Sequence, residues 1–175
     1  MHKDKFKNAI RILKFGGVGV MPTDTIYGLV GSAFSQKAIN RIYKIKNRNK
    51  KKLLIILISS LKDLKKFKMN LTSVQSSTLN KVWPGKVSVI LSDIAFRLPK
   101  SRFLINILKK TGPLVAPSAN PEGLKPAENI MGAKKYFGSK VDFYLSGGTL
   151  KSKPSVLIKI DKNGGIIVLR GNIKL

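Results

Sequence analysis

The sequence predicts an α/β fold in which one β-sheet is covered on its faces by helices, within a single domain. Short apolar segments rich in β-branched residues alternate with segments whose apolar residues recur at helical spacing, which is typical of strands connected by helices. The length of 175 residues suits one domain with a sizeable core. Neither an internal repeat nor a linker divides the chain, so residues 1–175 are expected to form one domain.

Capping residues mark the ends of the predicted helices. Asp4 and Ser35 can each accept a hydrogen bond from the first turn of a helix, and a glycine pair would end the first one. Ser59-Ser60 offers the same chemistry before a third helix. The predicted helices are residues 5–15, a segment from Ser35 through Ile45, a short helix after Ser60, and residues 73–82, 101–110 and 128–137.

The predicted strands are short and rich in β-branched and aromatic residues. Leu53–Ile58 is apolar at every position, so it is expected to be a central strand that is buried on both faces. Lys46–Lys52, directly before it, is too polar for a core and is predicted to be an exposed loop. The predicted strands are residues 18–21, 25–30, 53–58, 87–91, 95–98, 114–116, 141–145, 155–160 and 166–169.

The composition excludes several classes of enzyme. The chain has no cysteine and a single histidine, His2, so serine–histidine triads, thiol nucleophiles and zinc sites are excluded or nearly so. The eight acidic residues are scattered singly, which argues against a paired-carboxylate glycosidase and a dedicated metal cage. Walker and GxGxxG motifs are absent. Catalysis is therefore expected to depend on positioning and electrostatics, with no catalytic side chain and no protein metal ligand assigned.

The net charge of +26, from 34 basic and 8 acidic residues, would attract polyanions such as nucleic acids or nucleotides. Only six of the basic residues are arginine, and the lysines are spread over the whole chain. The charge therefore fits an RNA-binding surface and a lysine-rich composition equally well. No apolar run approaches the ~20 residues of a membrane span, and no signal-peptide pattern is present, so a cytoplasmic location is expected.

Three segments place polar groups beside the ends of predicted strands. Residues 22–29 carry two threonine hydroxyls between a proline and a glycine, where a ligand could approach the backbone, although an ordinary β-turn explains them equally well. Residues 46–52 carry cations, and arginine can bind two phosphate oxygens at once, although taken alone this segment is more typical of a solvated charge run. Residues 116–120 present a hydroxyl and an amide. Together these groups suit phosphate and carboxylate.

Taken in this order, the segments resemble the YrdC-like family, the L-threonylcarbamoyladenylate synthases, over essentially the whole chain. The resemblance implies a YrdC-like fold, which is a twisted mixed β-sheet flanked by helices, in its short single-domain form. Between Leu91 and Arg97 the chain is shorter than is usual in the family. The matching pieces are PTDTIYGL at 22–29, KNR at 46–48 with trailing lysines, WPGKVSVIL at 83–91, RLP at 97–99, APSAN at 116–120, Gly147-Gly148, Pro154-Ser155 and LRG at 169–171.

The resemblance also implies a reaction in which L-threonine, bicarbonate and ATP give threonylcarbamoyl-AMP and pyrophosphate. The substrate's own carbamate attacks the α-phosphorus, so no protein histidine or cysteine is needed. ATP is expected to arrive with Mg²⁺ that phosphate and water mostly coordinate. The expected partners are tRNA, whose adenosine 37 receives the threonylcarbamoyl group, and the transferase proteins that use the product.

Site residues are carried over from the resemblance position by position. The residues implied to bind L-threonine are Thr25, Arg97, Ala116 and Ser155. The residues implied to bind ATP, with Lys46 and Asn120 lining the same cleft, are Lys46, Arg48, Lys52, Ser118, Asn120 and Arg170.

Two other functions stay open. A relative on this fold could bind RNA without catalysis, for example in ribosome maturation, and the charge favours this slightly. A carbamoyl-adenylate module like that of the hydrogenase-maturation carbamoyltransferases is the more distant alternative, because those modules belong to much larger chains with zinc-finger and acylphosphatase parts.

Overall fold

The structure, a computed structural model, describes residues 3–173. The single histidine, His2, lies outside the described residues, so the exclusion of a histidine-based site rests on the sequence alone. None of the helices in the described part of the chain is both long and apolar enough to cross a membrane.

The helices form close to where they are predicted, but two of the predicted caps are wrong. Asp4 lies within the first turn of the first helix instead of preceding it, and the Ser60 hydroxyl makes no capping hydrogen bond. Ser35 is an N-cap, and its hydroxyl accepts a hydrogen bond from the Ala38 N–H at 3.2 Å. The short helix after Ser60 is a 3-10 helix, and the Asp63 carboxylate in its first turn accepts hydrogen bonds from the Ser59 N–H and hydroxyl. The α-helices of residues 3–173 are α1 (Lys3–Lys14), α2 (Gln36–Lys46), α3 (Ser73–Val82), α4 (Arg102–Thr111) and α5 (Ile130–Phe137). Two 3-10 helices cover Leu61–Phe67 and Gly138–Lys140.

The described strands form one mixed sheet. They are β1 (Val18–Pro22), β2 (Tyr27–Ser32), β3 (Ile55–Leu57), β4 (Val87–Leu91), β5 (Ile94–Arg97), β6 (Leu114–Val115), β7 (Phe143–Tyr144), β8 (Val156–Ile160) and β9 (Ile166–Arg170). Their order across the sheet is β7-β1-β2-β6-β3-β5-β4-β8-β9. The pairs β1–β7, β3–β5 and β4–β8 are parallel and the other pairs are antiparallel. The predicted mixed sheet flanked by helices is confirmed, and the extent of the domain over residues 1–175 stays a prediction.

The sheet separates two apolar clusters because successive side chains of a strand point to opposite faces. The first cluster packs α2 and α5 on one face, and the second packs α1 and α4 on the other. Within the predicted central strand, Ile56 belongs to the first cluster and Leu57 to the second, so its burial on both faces is confirmed. The strand itself is shorter than predicted and covers Ile55–Leu57.

A tight hairpin connects β4 and β5, which is why the segment between Leu91 and Arg97 is short. Leu91 at the end of β4 pairs with Ile94 at the start of β5, so two residues form the turn. The first of them, Ser92, has a φ of 52°, which lies in the left-handed region that such tight turns require. The hairpin places Arg97 at the end of β5, next to Leu57 of β3.

Candidate functional site

A cleft lies on the face of the sheet that carries the second cluster. Arg97 follows Phe96, whose side chain packs in the first cluster, so strand alternation directs Arg97 to the opposite face, where Ala116 also lies. The three segments singled out in the sequence, together with Arg97, Ser155 and Arg170, meet there. Seven of the ten predicted site residues line the cleft: Thr25, Arg48, Arg97, Ala116, Ser118, Ser155 and Arg170.

The first segment forms a tight turn that also faces the cleft. The Thr23 hydroxyl donates to the Ile26 carbonyl at 2.6 Å and accepts from the Thr25 N–H at 3.3 Å, which closes the turn. Thr25 is buried, and its hydroxyl lies 3.3 Å from Arg97 Nη1, which donates to it. The segment therefore forms the predicted turn, and Thr25 lies in the cleft lining, while its role in binding a ligand stays a prediction.

Arg97 is the most enclosed cation that lines the cleft, with 4% of its surface exposed. Its Nη2 donates to Asp24 Oδ1 at 2.7 Å, and the Asp24 side chain is also buried. Burial lowers the pKa of Arg97, and the Asp24 carboxylate partly offsets this effect. Within residues 3–173, Arg97 Nε has no hydrogen-bond acceptor. Asp24 was not predicted as a site residue, although its place between two threonines that face the cleft could have indicated it.

Ser155 and Arg170 also line the cleft and contact each other. Arg170 Nε donates to the Ser155 carbonyl at 3.1 Å, and its Nη2 donates to the Ser155 hydroxyl at 3.3 Å. The buried Ser155 hydroxyl is also 2.9 Å from the hydroxyl of Ser88 in β4. Ser88 was not predicted as a site residue, because it is a single polar residue between apolar neighbours in β4.

The cleft brings like charges together. Burial lowers the pKa of Arg170, and the nearby positive charge of Arg48 lowers it further. The charge of Arg170 in turn lowers the pKa of Arg97. Arg48 donates from Nη2 to the Leu53 carbonyl at 3.1 Å, while its buried Nε has no acceptor in the described part of the chain. Three guanidinium groups thus face one cleft, and an anion bound between them would lower their mutual repulsion.

Lys46 does not lie in an exposed loop, and the prediction that placed it there is wrong. It ends α2, is 1% exposed, and its Nζ donates to the carbonyl oxygens of Ser118 and Asn120, each at 2.5 Å. Burial, and secondly the charge of Arg48, lower its pKa to about 8. The long aliphatic stem allows the ammonium group to reach both carbonyls, of which that of Ser118 also accepts a hydrogen bond from the Asn120 N–H at 3.0 Å. Lys46 therefore stabilises the 116–120 loop through these two hydrogen bonds and does not line the cleft.

Two more predicted ATP residues lie outside the cleft lining. Asn120 Nδ2 donates to the carbonyls of Pro121 and Leu124 at 2.9 and 2.7 Å, so its amide shapes the loop. Lys52 is exposed, and its ammonium group forms an ion pair with Glu122. Glu122 was not predicted as a site residue. Within residues 3–173 no group of three or more histidine, cysteine, aspartate or glutamate residues could hold a metal ion.

Backbone contacts place the loop at 116–120 beside the first segment. The Leu29 N–H donates to the Pro117 carbonyl at 2.9 Å, and the Ala119 N–H donates to the Tyr27 carbonyl at 2.8 Å. Gly28 lies opposite Ser118, and a Cβ atom on it would be 3.0 Å from a methyl carbon of Thr23. A side chain at this position would therefore crowd Thr23, whereas the nearest backbone atom of the facing loop, the Pro117 carbonyl oxygen, would lie at an ordinary 3.6 Å.

Comparisons with known proteins agree with this fold. The Sua5/YciO/YrdC family model, described as "Telomere recombination", matches residues 11–171. A threonylcarbamoyl-AMP synthase from Hahella chejuensis is 30% identical over 165 residues, which cover 85% of this chain and 90% of that protein.

Two solved structures show the same fold. P. abyssi Sua5 in complex with L-threonine superposes with a TM-score of 0.88 at 23% identity, covering 97% of this chain and 54% of that one. This chain therefore spans about half the length of the P. abyssi protein. E. coli YciO superposes with a TM-score of 0.86 at 22% identity, covering 97% of this chain and 89% of that one.

Proposed function

The chain belongs to the Sua5/YciO/YrdC family, and from this premise we propose that it is an L-threonylcarbamoyladenylate synthase. It forms threonylcarbamoyl-AMP and pyrophosphate from L-threonine, bicarbonate and ATP, and is thus a nucleotidyltransferase. The observation that carries this proposal is the convergence of Arg48, Arg97 and Arg170 on one cleft lined by hydroxyl groups.

The arrangement of cations suits the two anionic substrates. A guanidinium group binds a carboxylate or a phosphate through two parallel hydrogen bonds, and such charge-assisted bonds are about twice as strong as neutral ones. Arg97, with the hydroxyls of Thr25 and Ser155 near it, would bind the threonine carboxylate. Arg48 and Arg170, which line the same cleft, would bind the phosphates. The buried Nε atoms of Arg48 and Arg97 would then gain acceptors.

The chemistry needs orientation more than it needs a catalytic side chain. The amino group of threonine adds to bicarbonate with loss of water, and an oxygen of the resulting carbamate attacks the α-phosphorus of ATP. The bond between the α-phosphorus and the oxygen that links it to the β-phosphorus breaks, and pyrophosphate leaves. Fixed cations around the cleft stabilise the charge that develops on phosphate oxygens, because they need little reorganisation during the reaction.

The remaining predicted residues have supporting positions in this proposal. Ser118 and Ala116 belong to the loop that Lys46 and Asn120 hold in shape, and Lys52 would reach the triphosphate from the rim. Mg²⁺ would enter as the complex with ATP, with phosphate and water oxygens as its ligands. We further propose that the protein acts in the cytoplasm, where transferase proteins pass the threonylcarbamoyl group to adenosine 37 of tRNA.

Pyrophosphate release tests the proposal. Release from ATP should require both L-threonine and bicarbonate, so omitting either one should abolish it. An Arg48→Ala variant purified in parallel shows how much pyrophosphate release comes from contaminating enzymes.

A second outcome would favour the alternative function. Absence of threonine-dependent release, together with tight tRNA binding, would indicate a protein that binds RNA without catalysis. The net charge of +26 is the observation that favours this alternative.

A further inference from the structure

Glu122 is an acidic side chain among the cations that flank the cleft. It is the only acidic residue between Asp93 and Glu128. Its Oε1 accepts a short hydrogen bond from Lys52 Nζ, and its Oε2 accepts one from the backbone N–H of Asn49 at 3.1 Å. One carboxylate thus engages two donors of the basic segment 46–52.

The donors that Glu122 engages are the kinds of group that bind phosphate. An ammonium group and a backbone N–H are common ligands of phosphate oxygens. The hydrogen bond from Lys52, and secondly that from the Asn49 N–H, lower the pKa of Glu122, with a further contribution from the charge of Arg48. Glu122 is therefore an anion that faces the same cations as a bound triphosphate would.

The carboxylate is not needed to join the two loops. The backbone N–H of Glu122 donates to the Lys46 carbonyl at 2.7 Å, and Lys46 Nζ donates to two carbonyls of the 116–120 loop. These contacts involve no side-chain atom of Glu122, so they can persist when its carboxylate changes partner. The Lys52 side chain is 58% exposed, so protein atoms enclose it only partly and its ammonium group can change partner.

We infer that Glu122 is an internal counter-ion of the nucleotide site, whose carboxylate holds Lys52 and the Asn49 N–H until phosphate oxygens of ATP replace it. This inference rests on the proposed function. Glu122 acts through Lys52 and Asn49, so it is a positioning residue that sets the affinity for ATP. Each binding event must separate the Lys52–Glu122 pair, and the displaced carboxylate then lies near the phosphates and repels them.

The test removes the negative charge of Glu122 and keeps the shape of its side chain. Glu122→Gln should bind ATP about threefold to tenfold more tightly in calorimetric titrations without threonine or bicarbonate, because the competing charge is lost. Glu128→Gln removes the same charge from an exposed side chain elsewhere and should stay within about twofold of the wild type. In turnover assays, Glu122→Gln should lower the KM for ATP while kcat and the KM for threonine stay unchanged.

A double-mutant cycle tests whether Glu122 acts through Lys52. In a Lys52→Ala background, the gain in ATP affinity from Glu122→Gln should fall below about twofold, because the main competing contact is then absent. In the wild type, the amide signal of selectively labelled Asn49 should shift when ATP binds, which needs no variant at all.

The outcomes separate the inference from the proposed function. If the wild type binds ATP and Glu122→Gln binds it equally or less tightly, or the Asn49 signal does not move at saturating ATP, the inference is overturned and the synthase proposal stands. If the wild type does not bind ATP, both are overturned.

Discussion

Arg48, Arg97 and Arg170 face the same cleft but are held in different ways. Arg97 is buried against Asp24, whereas Arg48 and Arg170 bond mainly to backbone carbonyls and to Ser155. A buried ion pair that loses one partner leaves an uncompensated charge, which costs far more than a lost contact at a partly exposed side chain. The arginines should therefore differ in what their removal does to stability, even if each contributes to substrate binding.

Replacing Arg48 and Arg97 should separate activity from stability. Arg48→Ala and Arg97→Ala should each reduce transition-state stabilisation by on the order of 2–4 kcal/mol, measured as kcat/KM for pyrophosphate release. Only Arg97→Ala should also lower the free energy of unfolding, by about 3–5 kcal/mol in urea titrations, because Asp24 stays buried without its partner.

A distant lysine serves as the control for both arginines. Lys162 is exposed and follows β8, whereas Ser155 precedes that strand, so the two residues lie at opposite ends of β8. Lys162→Ala should therefore change neither kcat/KM nor the free energy of unfolding noticeably. Equal losses of activity in all three variants would contradict the assignment of the site.

At the scale of the elements, β1 depends on a glycine because of its neighbour. Gly19 pairs with Phe143 of β7, and a Cβ atom on Gly19 would lie 2.2 Å from the Phe143 ring. Phe143 is buried in the second cluster, so its ring has little room to move. The close packing fixes the course of β1, which ends at Pro22 where the first site segment begins.

Two glycine replacements test this packing. Gly19→Ala should destabilise the protein by about 1–3 kcal/mol, because the added methyl group overpacks the interface between β1 and β7. Gly132→Ala is the matched control in α5, where the nearest atom to the added Cβ is 3.6 Å away. It should stabilise the protein by about 0.5–1 kcal/mol through the higher helix propensity of alanine. Thermal unfolding of both variants gives the comparison, and equal effects would argue against the packing of β7 on β1.

At the scale of the whole molecule, the main feature is the large positive net charge. With 34 basic and 8 acidic residues, most cations have no acidic partner in the chain, so the protein carries a long-range positive field. Such a field attracts polyanions in general, nucleotides and nucleic acids alike, without selecting among sequences.

Salt should therefore control the binding of tRNA. Its affinity should fall at least about a hundredfold between 50 and 200 mM salt, the loss expected when about four phosphates are contacted. A DNA duplex with as many phosphates should bind within about tenfold of tRNA at each salt concentration. Affinity for tRNA that does not depend on salt, or a strong preference over the duplex, would point to specific RNA contacts instead.

The order and type of the elements could be predicted because they depend on neighbours in the sequence. Helical spacing, caps such as Ser35 and the all-apolar run Leu53–Ile58 indicate where helices and strands form. The groups of the site could also be named, since the motifs that resemble the family carry most of the residues that line the cleft. The order of the strands could not, because it depends on contacts between distant segments.

What the sequence determined by itself is the list of elements and the chemistry of the site: cations and hydroxyls without histidine, cysteine or paired carboxylates. Only the tertiary structure decided which of these groups line the cleft. Burial directs Lys46 to two carbonyls and pairs Asp24 with Arg97. The folded chain also brings Glu122 to Lys52, 70 residues away along the sequence, at the surface. The physical reason is that a charged side chain takes its partner from the space around it, and that space is defined only when the sheet has assembled.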